Sequence, residues 1–292
     1  MTANLTNLLL APDNEQVHTA LLQEISSYIQ AEILEHPLIA EDSGKLSILL
    51  DGSTALGIAD NISDIDLILV CTDECYGAIT ARFEQAGLIP EGSSLFMDVH
   101  LPGGKTGHYT LMKLSGLEQA LLRGDLGWLW NASVSRLYHD PLDIGGLFAR
   151  FIPLAPDVLM NLRKQTYIEL RSCAKSLDNP VRRGEAFPIL FQATEVFKQA
   201  LRCAITVEGH PFPYDKWLVP VAEQLPAGER VLEAMKDFWS YLKDDNSYTA
   251  MYQEDNNFVK MEKRVRKVLL EELRLRGIEE PWLTEWWKYM ED

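Results

Sequence analysis

Leu49-Leu50-Asp51-Gly52-Ser53-Thr54-Ala55-Leu56-Gly57, followed by Asp64-Ile65-Asp66-Leu67-Ile68-Leu69-Val70, is the stretch that decides the fold. An apolar run stops at Gly-Ser, a short Ala/Leu segment follows, and a second apolar run opens on two aspartates one residue apart. Side chains alternate across a strand, so Asp64 and Asp66 emerge on one side while Ile65 faces the other. Two carboxylates sharing a cleft repel unless a positive charge sits between them, and hard dications such as Mg2+ take oxygen ligands of this kind. Gly52 lets the backbone approach a ligand closely. The short helix expected over Thr54 to Ile58 turns N–H donors and its dipole toward an anion, and Ser53 adds a hydroxyl. The pattern points to phosphate and metal chemistry.

Working outward, Leu46 to Leu50 and Ile65 to Cys71 are apolar on both faces, as central strands of a covered sheet are. Leu95 to Leu101 alternates, with Phe96, Asp98 and His100 on one face and Met97, Val99 and Leu101 turned to the core. Asp98 then projects with the cleft. A third carboxylate there either completes a second metal site or takes a proton from an attacking hydroxyl. After the glycine-rich loop 102–107, which carries Lys105, His108 to Lys113 is expected to return as another strand. Helices are expected over Glu15 to His36, Cys75 to Gly87 and Leu117 to Arg123.

From His139 to Pro156, three prolines and two adjacent glycines mark a domain connection. The expectation is a catalytic domain over residues 1–140 and a helical substrate-binding domain over 141–292. In the second half, Asp157 to Leu177, Gly184 to Val207, Gly228 to Leu242 and Asn257 to Arg276 carry apolar residues at helical spacing. Trp282, Trp286 and Trp287 form a stripe best read as a packed terminus. The fold class is α+β: a small mixed-sheet domain followed by an all-α helical bundle.

With 292 residues, the chain is long enough for two cores. A formal net charge of −16 argues against a nucleic-acid substrate, because binding a phosphate backbone draws on clustered Lys and Arg. A basic or neutral small substrate fits better. No apolar run reaches the roughly 20 residues a membrane span needs, and the N-terminus lacks a basic region followed by an apolar one. A soluble, cytoplasmic protein is expected. The four cysteines, 71, 75, 173 and 203, sit in apolar segments as small buried hydrophobes; no second pair or histidine cluster completes a zinc site around Cys71 and Cys75.

Gly52-Ser53, Ser63-Asp64-Ile65-Asp66 and Met97-Asp98-Val99 together resemble the motifs of the nucleotidyltransferase superfamily with the polymerase-beta-like fold. Within it, the acidic site followed by a helical domain resembles the aminoglycoside nucleotidyltransferases, especially the adenylyltransferases that modify streptomycin and spectinomycin. The resemblance implies a Mg2+-dependent enzyme with ATP as co-substrate that moves AMP to a hydroxyl of a small, cationic, aminoglycoside-like acceptor. Pyrophosphate leaves, and antibiotic resistance is the implied role. Asp64, Asp66 and Asp98 are then the catalytic and metal-binding residues, with Asp98 as base where a Glu is common in that subfamily. Gly52 and Ser53 grip the outer phosphates. The loop Gly209-His210-Pro211-Phe212-Pro213-Tyr214-Asp215-Lys216-Trp217 resembles one that carries a lysine to the triphosphate, which gives Lys216 that role by analogy. Two other readings stay open: a protein- or tRNA-modifying transferase of a toxin–antitoxin type, and a non-catalytic nucleotide-binding module. Glu185 and Glu195 are expected in exposed salt bridges ahead of any substrate contact.

Overall fold

Strand β1 (Leu46–Asp51) is apolar at four of its six positions and is buried throughout except at Asp51, so it needs cover on both faces and a partner on both edges. It has them. Strand β2 (Ile65–Cys71) pairs antiparallel on one side and β5 (Arg136–His139) antiparallel on the other. Strand β3 (Phe96–His100) and β4 (Thr106–Lys113) complete a five-stranded sheet of order β3-β4-β2-β1-β5, in which β2 and β4 run parallel. The computed structural model describes residues 5–244, 246–249 and 255–290. The fold is α+β, a mixed sheet with helices and then a helical C-terminal region.

One face of the sheet presents Ile48, Leu50, Ile65, Leu67, Leu69, Val99 and Leu111 to helix α1 (Glu15–Tyr28) and to a helix over Asp73–Gln85 (α3), whose Ile79 and Phe83 enter the same core. On α1 the apolar stripe runs Leu21, Ile25, Ile29, Ile33, a strict four-residue step. Each such step turns about 40° around an α-helix of 3.6 residues per turn, so the stripe drifts off the sheet. The chain compensates by widening to a π-helix over Ile29–Leu34, which keeps Ile29 and Ile33 buried. The single α-helix expected as far as His36 is therefore α-helical only to Tyr28.

On the other face a five-residue helix α2 (Gly52–Leu56) lies against β1 and β2, and helix α4 (Leu114–Leu122) lies against β2 and β4. The end of β3 is left open, with Phe96, Asp98 and His100 exposed. Helices α5 (Leu126–Val134) and α6 (Ile144–Ala149) flank β5, a four-residue strand too short to show a clear alternation in the sequence. Burial pushes the Cys71 and Cys75 thiols up, the second observation that makes them core residues and not reactive ones.

The chain divides into two compact units, residues 1–153 and 154–292. In the second, helices α7 (Pro156–Ser176) and α9 (Ala186–Val207), separated by the short α8 (Asp178–Arg183), pack along their lengths. Arg163 of α7 donates from Nε to Thr206 O at 3.0 Å and from Nη2 to Val207 O at 2.7 Å, bonding carbonyls in the last turn of α9. The stretch expected as one helix over Gly228 to Leu242 breaks in two. After α10 (Leu218–Ala222), helix α11 covers Pro226–Ala234 and α12 covers Phe238–Tyr241, and the turn between them buries Met235 and Phe238. After α13 (Asn246–Thr249) comes the last long helix, α14 (Asn257–Leu275), capped by Asn256 Oδ1 accepting from Phe258 and Val259 N–H. Trp282 and Trp286 are buried on two terminal 3-10 turns, as a packed terminus requires, while Trp287 is exposed. Among the described residues no helix is long and apolar enough to cross a membrane.

A charge network ties α11 to α14. Glu272, 5% exposed, accepts from both Arg230 and Arg276; Arg230 also reaches Glu271 at 2.7 Å, and Arg276 reaches Glu208 at 2.8 Å. Burial pushes the Glu272 carboxyl up, but the hydrogen bonds from Arg276 and Arg230 outweigh it and hold the group below its ordinary value. A carboxyl depressed by folding adds stability above its unfolded pKa and loses it as pH falls through the folded value. Because both arginines remain partly solvated, Glu272→Gln is expected to cost about 2 kcal/mol near neutral pH, less than a fully buried broken pair. Urea unfolding at a series of pH values should show that difference shrinking below about pH 4. A difference that did not change with pH would mean the carboxylate charge contributes nothing.

Candidate functional site

The sheet register assembles the site. Asp66 on β2 stands opposite Asp51 on β1, and His108 on β4 stands opposite both Asp66 on β2 and Asp98 on β3. Residues opposite one another in a sheet share a face. Asp98, His108, Asp66 and Asp51 therefore form one row across four strands, on the face away from α1 and α3. Asp64 enters from the residue before β2. One ligand atom from each of Asp64, Asp66 and His108 lies within 4.8 Å of the others, and His108 Nε2 is 3.3 Å from Asp66 Oδ1.

Local structure holds each member in place. Gly52 has φ of +68°, a region open to glycine, and a Cβ built there would stand 2.5 Å from Asp66 Oδ2. The turn thus cradles the carboxylate with bare backbone. Helix α2 is braced from outside, since Asn7 and Leu9 donate their N–H groups to Ala55 O and Leu56 O, both at 3.1 Å. The loop that delivers Asp64 is fixed by Asp60, whose Oδ1 accepts from Ile62 N–H at 3.1 Å and from Ser63 Oγ at 2.7 Å. Those hydrogen bonds, Ser63 first, hold the Asp60 carboxyl below its ordinary value. Lys105 donates to Asp60 O and so belongs to the loop's framework and not to an open phosphate position. On the far side, the ring of Phe96 stacks on His108 with centroids 4.6 Å apart and planes 23° apart.

The structure brings some of the expected residues together and leaves others apart. Asp64, Asp66 and Gly52 meet at one place. Ser53 is buried at the start of α2. Asp98 is exposed on the same face, one strand beyond His108, and lies outside the three-residue cluster. Lys216 is carried by the second unit, on the 3-10 turn Asp215–Trp217, exposed, with Nζ 5.2 Å from the Tyr214 ring centroid and 4.9 Å from that of Trp217. Glu185 and Glu195 pair with Arg183 and Lys198 at 3.8 and 3.0 Å. His100 lines an open groove of about 740 Å³ with Glu24, Tyr28 and Glu32.

Two members of the row, His108 and Asp51, were not singled out from the sequence. Asp51 carried a signal, as the last polar residue of a buried strand just before Gly52. His108 carried only its place at the head of an expected strand; nothing local says that this strand pairs with β2.

The cluster suits a divalent cation. It offers two carboxylate oxygens and one imidazole nitrogen, half-buried or exposed, on strands β2 and β4 and the residue just before β2, with a glycine where a side chain would collide with one ligand.

No protein-family model matches this chain, and no curated protein matches it. Among solved structures, it is similar to the crystal structure of a nucleotidyltransferase-like protein from Exiguobacterium sibiricum, at 11% identity and a TM-score of 0.44 over 88% of this chain and 82% of that one.

Proposed function

We propose that this chain is a divalent-metal-dependent nucleotidyltransferase that moves a nucleoside monophosphate, AMP from ATP, to a hydroxyl of a small cationic acceptor. The observation that carries the reading is the placement of Asp64 and Asp66 with His108 against the bare backbone of Gly52, on the same sheet face as Asp98. A cation held by that cluster, when bound, neutralises triphosphate oxygens and the charge that develops on the departing pyrophosphate. Gly52 brings main-chain N–H groups near the same point, where they orient an outer phosphate. Asp98, exposed and separated from Asp66 by His108, accepts the proton of the attacking hydroxyl.

The choice of adenine nucleotide, and a phosphate role for Lys216, rest on the motif resemblance. The cationic acceptor is supported by the net charge of −16. Incubation with α-labelled ATP, a divalent cation and a panel of aminoglycosides, other polyamines, proteins and tRNA is the test. Label is expected on a small cationic acceptor, with release of pyrophosphate. Label on no acceptor, together with no metal-dependent nucleotide binding, would overturn the proposal.

A further inference from the structure

We infer that His108 Nε2 is itself a metal ligand, and that this nitrogen makes the site select a first-row transition dication, with Mn2+ as its probe, over Mg2+. The inference rests on the reading of Asp64 and Asp66 as a metal pair and goes further, to which metal the chain is built for. Three observations support it.

The spacing is that of two ligands on one ion. Ligand atoms about 2.1 Å from a cation lie about 3.0 Å apart at a right angle and about 3.4 Å apart at a tetrahedral one. His108 Nε2 and Asp66 Oδ1 are 3.3 Å apart. Asp64, the exposed member, supplies the third atom from the solvent side of the cluster, within the 4.8 Å that bounds all three.

The imidazole is also positioned before any ion arrives. Parallel pairing of β2 with β4 sets His108 directly beside Asp66, and the preceding Gly107 permits it, since a Cβ there would overlap the Ile65 backbone. Stacking on Phe96 then limits rotation of the ring. Such outer contacts orient ligands and sustain affinity.

The donor chemistry decides the metal. Mg2+ is hard, favours oxygen and keeps its waters, whereas imidazole suits transition dications; Mn2+ is the hardest of these but still accepts imidazole, and its unpaired electrons report a bound nitrogen directly, which makes it the probe.

The test uses the full chain without nucleotide. Mn2+ and Mg2+ affinities are measured by calorimetry, and pulsed electron paramagnetic resonance of bound Mn2+ reads nitrogen coupling directly. Wild-type protein is expected to show that coupling and to bind Mn2+ more tightly than Mg2+. His108→Ala should lose the coupling and about 100-fold in Mn2+ affinity, with Mg2+ affinity changing no more than about threefold. His108→Asp, which makes the set all-oxygen, should bind Mg2+ more tightly than wild type or His108→Ala, at the expense of the Mn2+ preference. Melting curves establish that both variants fold. Absence of nitrogen coupling in wild type, or a Mn2+ to Mg2+ ratio unchanged in His108→Ala, overturns the inference. Nitrogen coupling without nucleotidyl transfer would sink the proposed activity and leave the ligand assignment standing; transfer with a metal that shows no nitrogen would do the reverse.

Discussion

Asp66→Asn is expected to lower metal-dependent nucleotidyl transfer by about 10³-fold or more while leaving the melting temperature nearly unchanged. Asp66 sits at the centre of the row, in register with Asp51 on one side and His108 on the other, and is a member of the three-residue cluster. Asparagine keeps the size and the backbone preferences of the strand but replaces a charged oxygen with a neutral amide. Several kcal/mol of charge stabilisation then disappear from the transition state, and each 1.36 kcal/mol is about a factor of ten in rate. Asp64→Asn should follow the same direction with a smaller loss, because Asp64 is exposed and borrows more of its environment from water. The check is steady-state transfer of labelled nucleotide beside a thermal melt. Near-normal turnover in Asp66→Asn would remove the metal role from this residue, and with it the core of the proposed mechanism.

Gly52→Ala is the second large effect, and here stability and activity should fall together. The position has φ of +68°, which costs a residue with a Cβ about 1–2 kcal/mol, and the added atom would stand 2.5 Å from Asp66 Oδ2. Relieving that overlap displaces either the turn or the carboxylate. The expected loss is about 3 kcal/mol, or roughly 10 °C in melting temperature for a domain of this size. Gly87→Ala serves as the comparison, since Gly87 has φ of +69° with open space around it and should show the backbone cost alone. A double-mutant cycle isolates the contact. In an Asp66→Ala background, which removes the colliding oxygen, Gly52→Ala should cost about 1–2 kcal/mol less than in wild type. Equal costs in both backgrounds would show that Gly52 is there for its backbone angle only.

These two variants mark what was legible in the sequence. Period-two alternation alone puts Asp64, just before β2, and Asp66 on one side, and Asp98 on the face opposite Met97 and Val99. The glycine at the end of a buried strand announced a close approach, and the approach turned out to be to Asp66 itself. The apolar stripes of α7, α9 and α14 were legible for the same local reason, although α7 begins at Pro156 and not after Asp157. The break near Met235, the π-helical turn after Tyr28 and strand β5 were not, because each depends on which partner surface a segment meets.

His108 is the clearest case. Its membership in the site follows from the parallel pairing of β2 with β4, two segments far apart in sequence whose register no local preference sets. The amino-acid sequence by itself determined that this chain carries an aspartate pair beside a glycine turn on an α+β framework, since those features are written in side-chain alternation and backbone freedom within a few residues. Only the tertiary structure decided the composition of the site, placing an imidazole between Asp66 and Asp98, because strand order and register are set by the burial of whole sheet faces and not by any one segment.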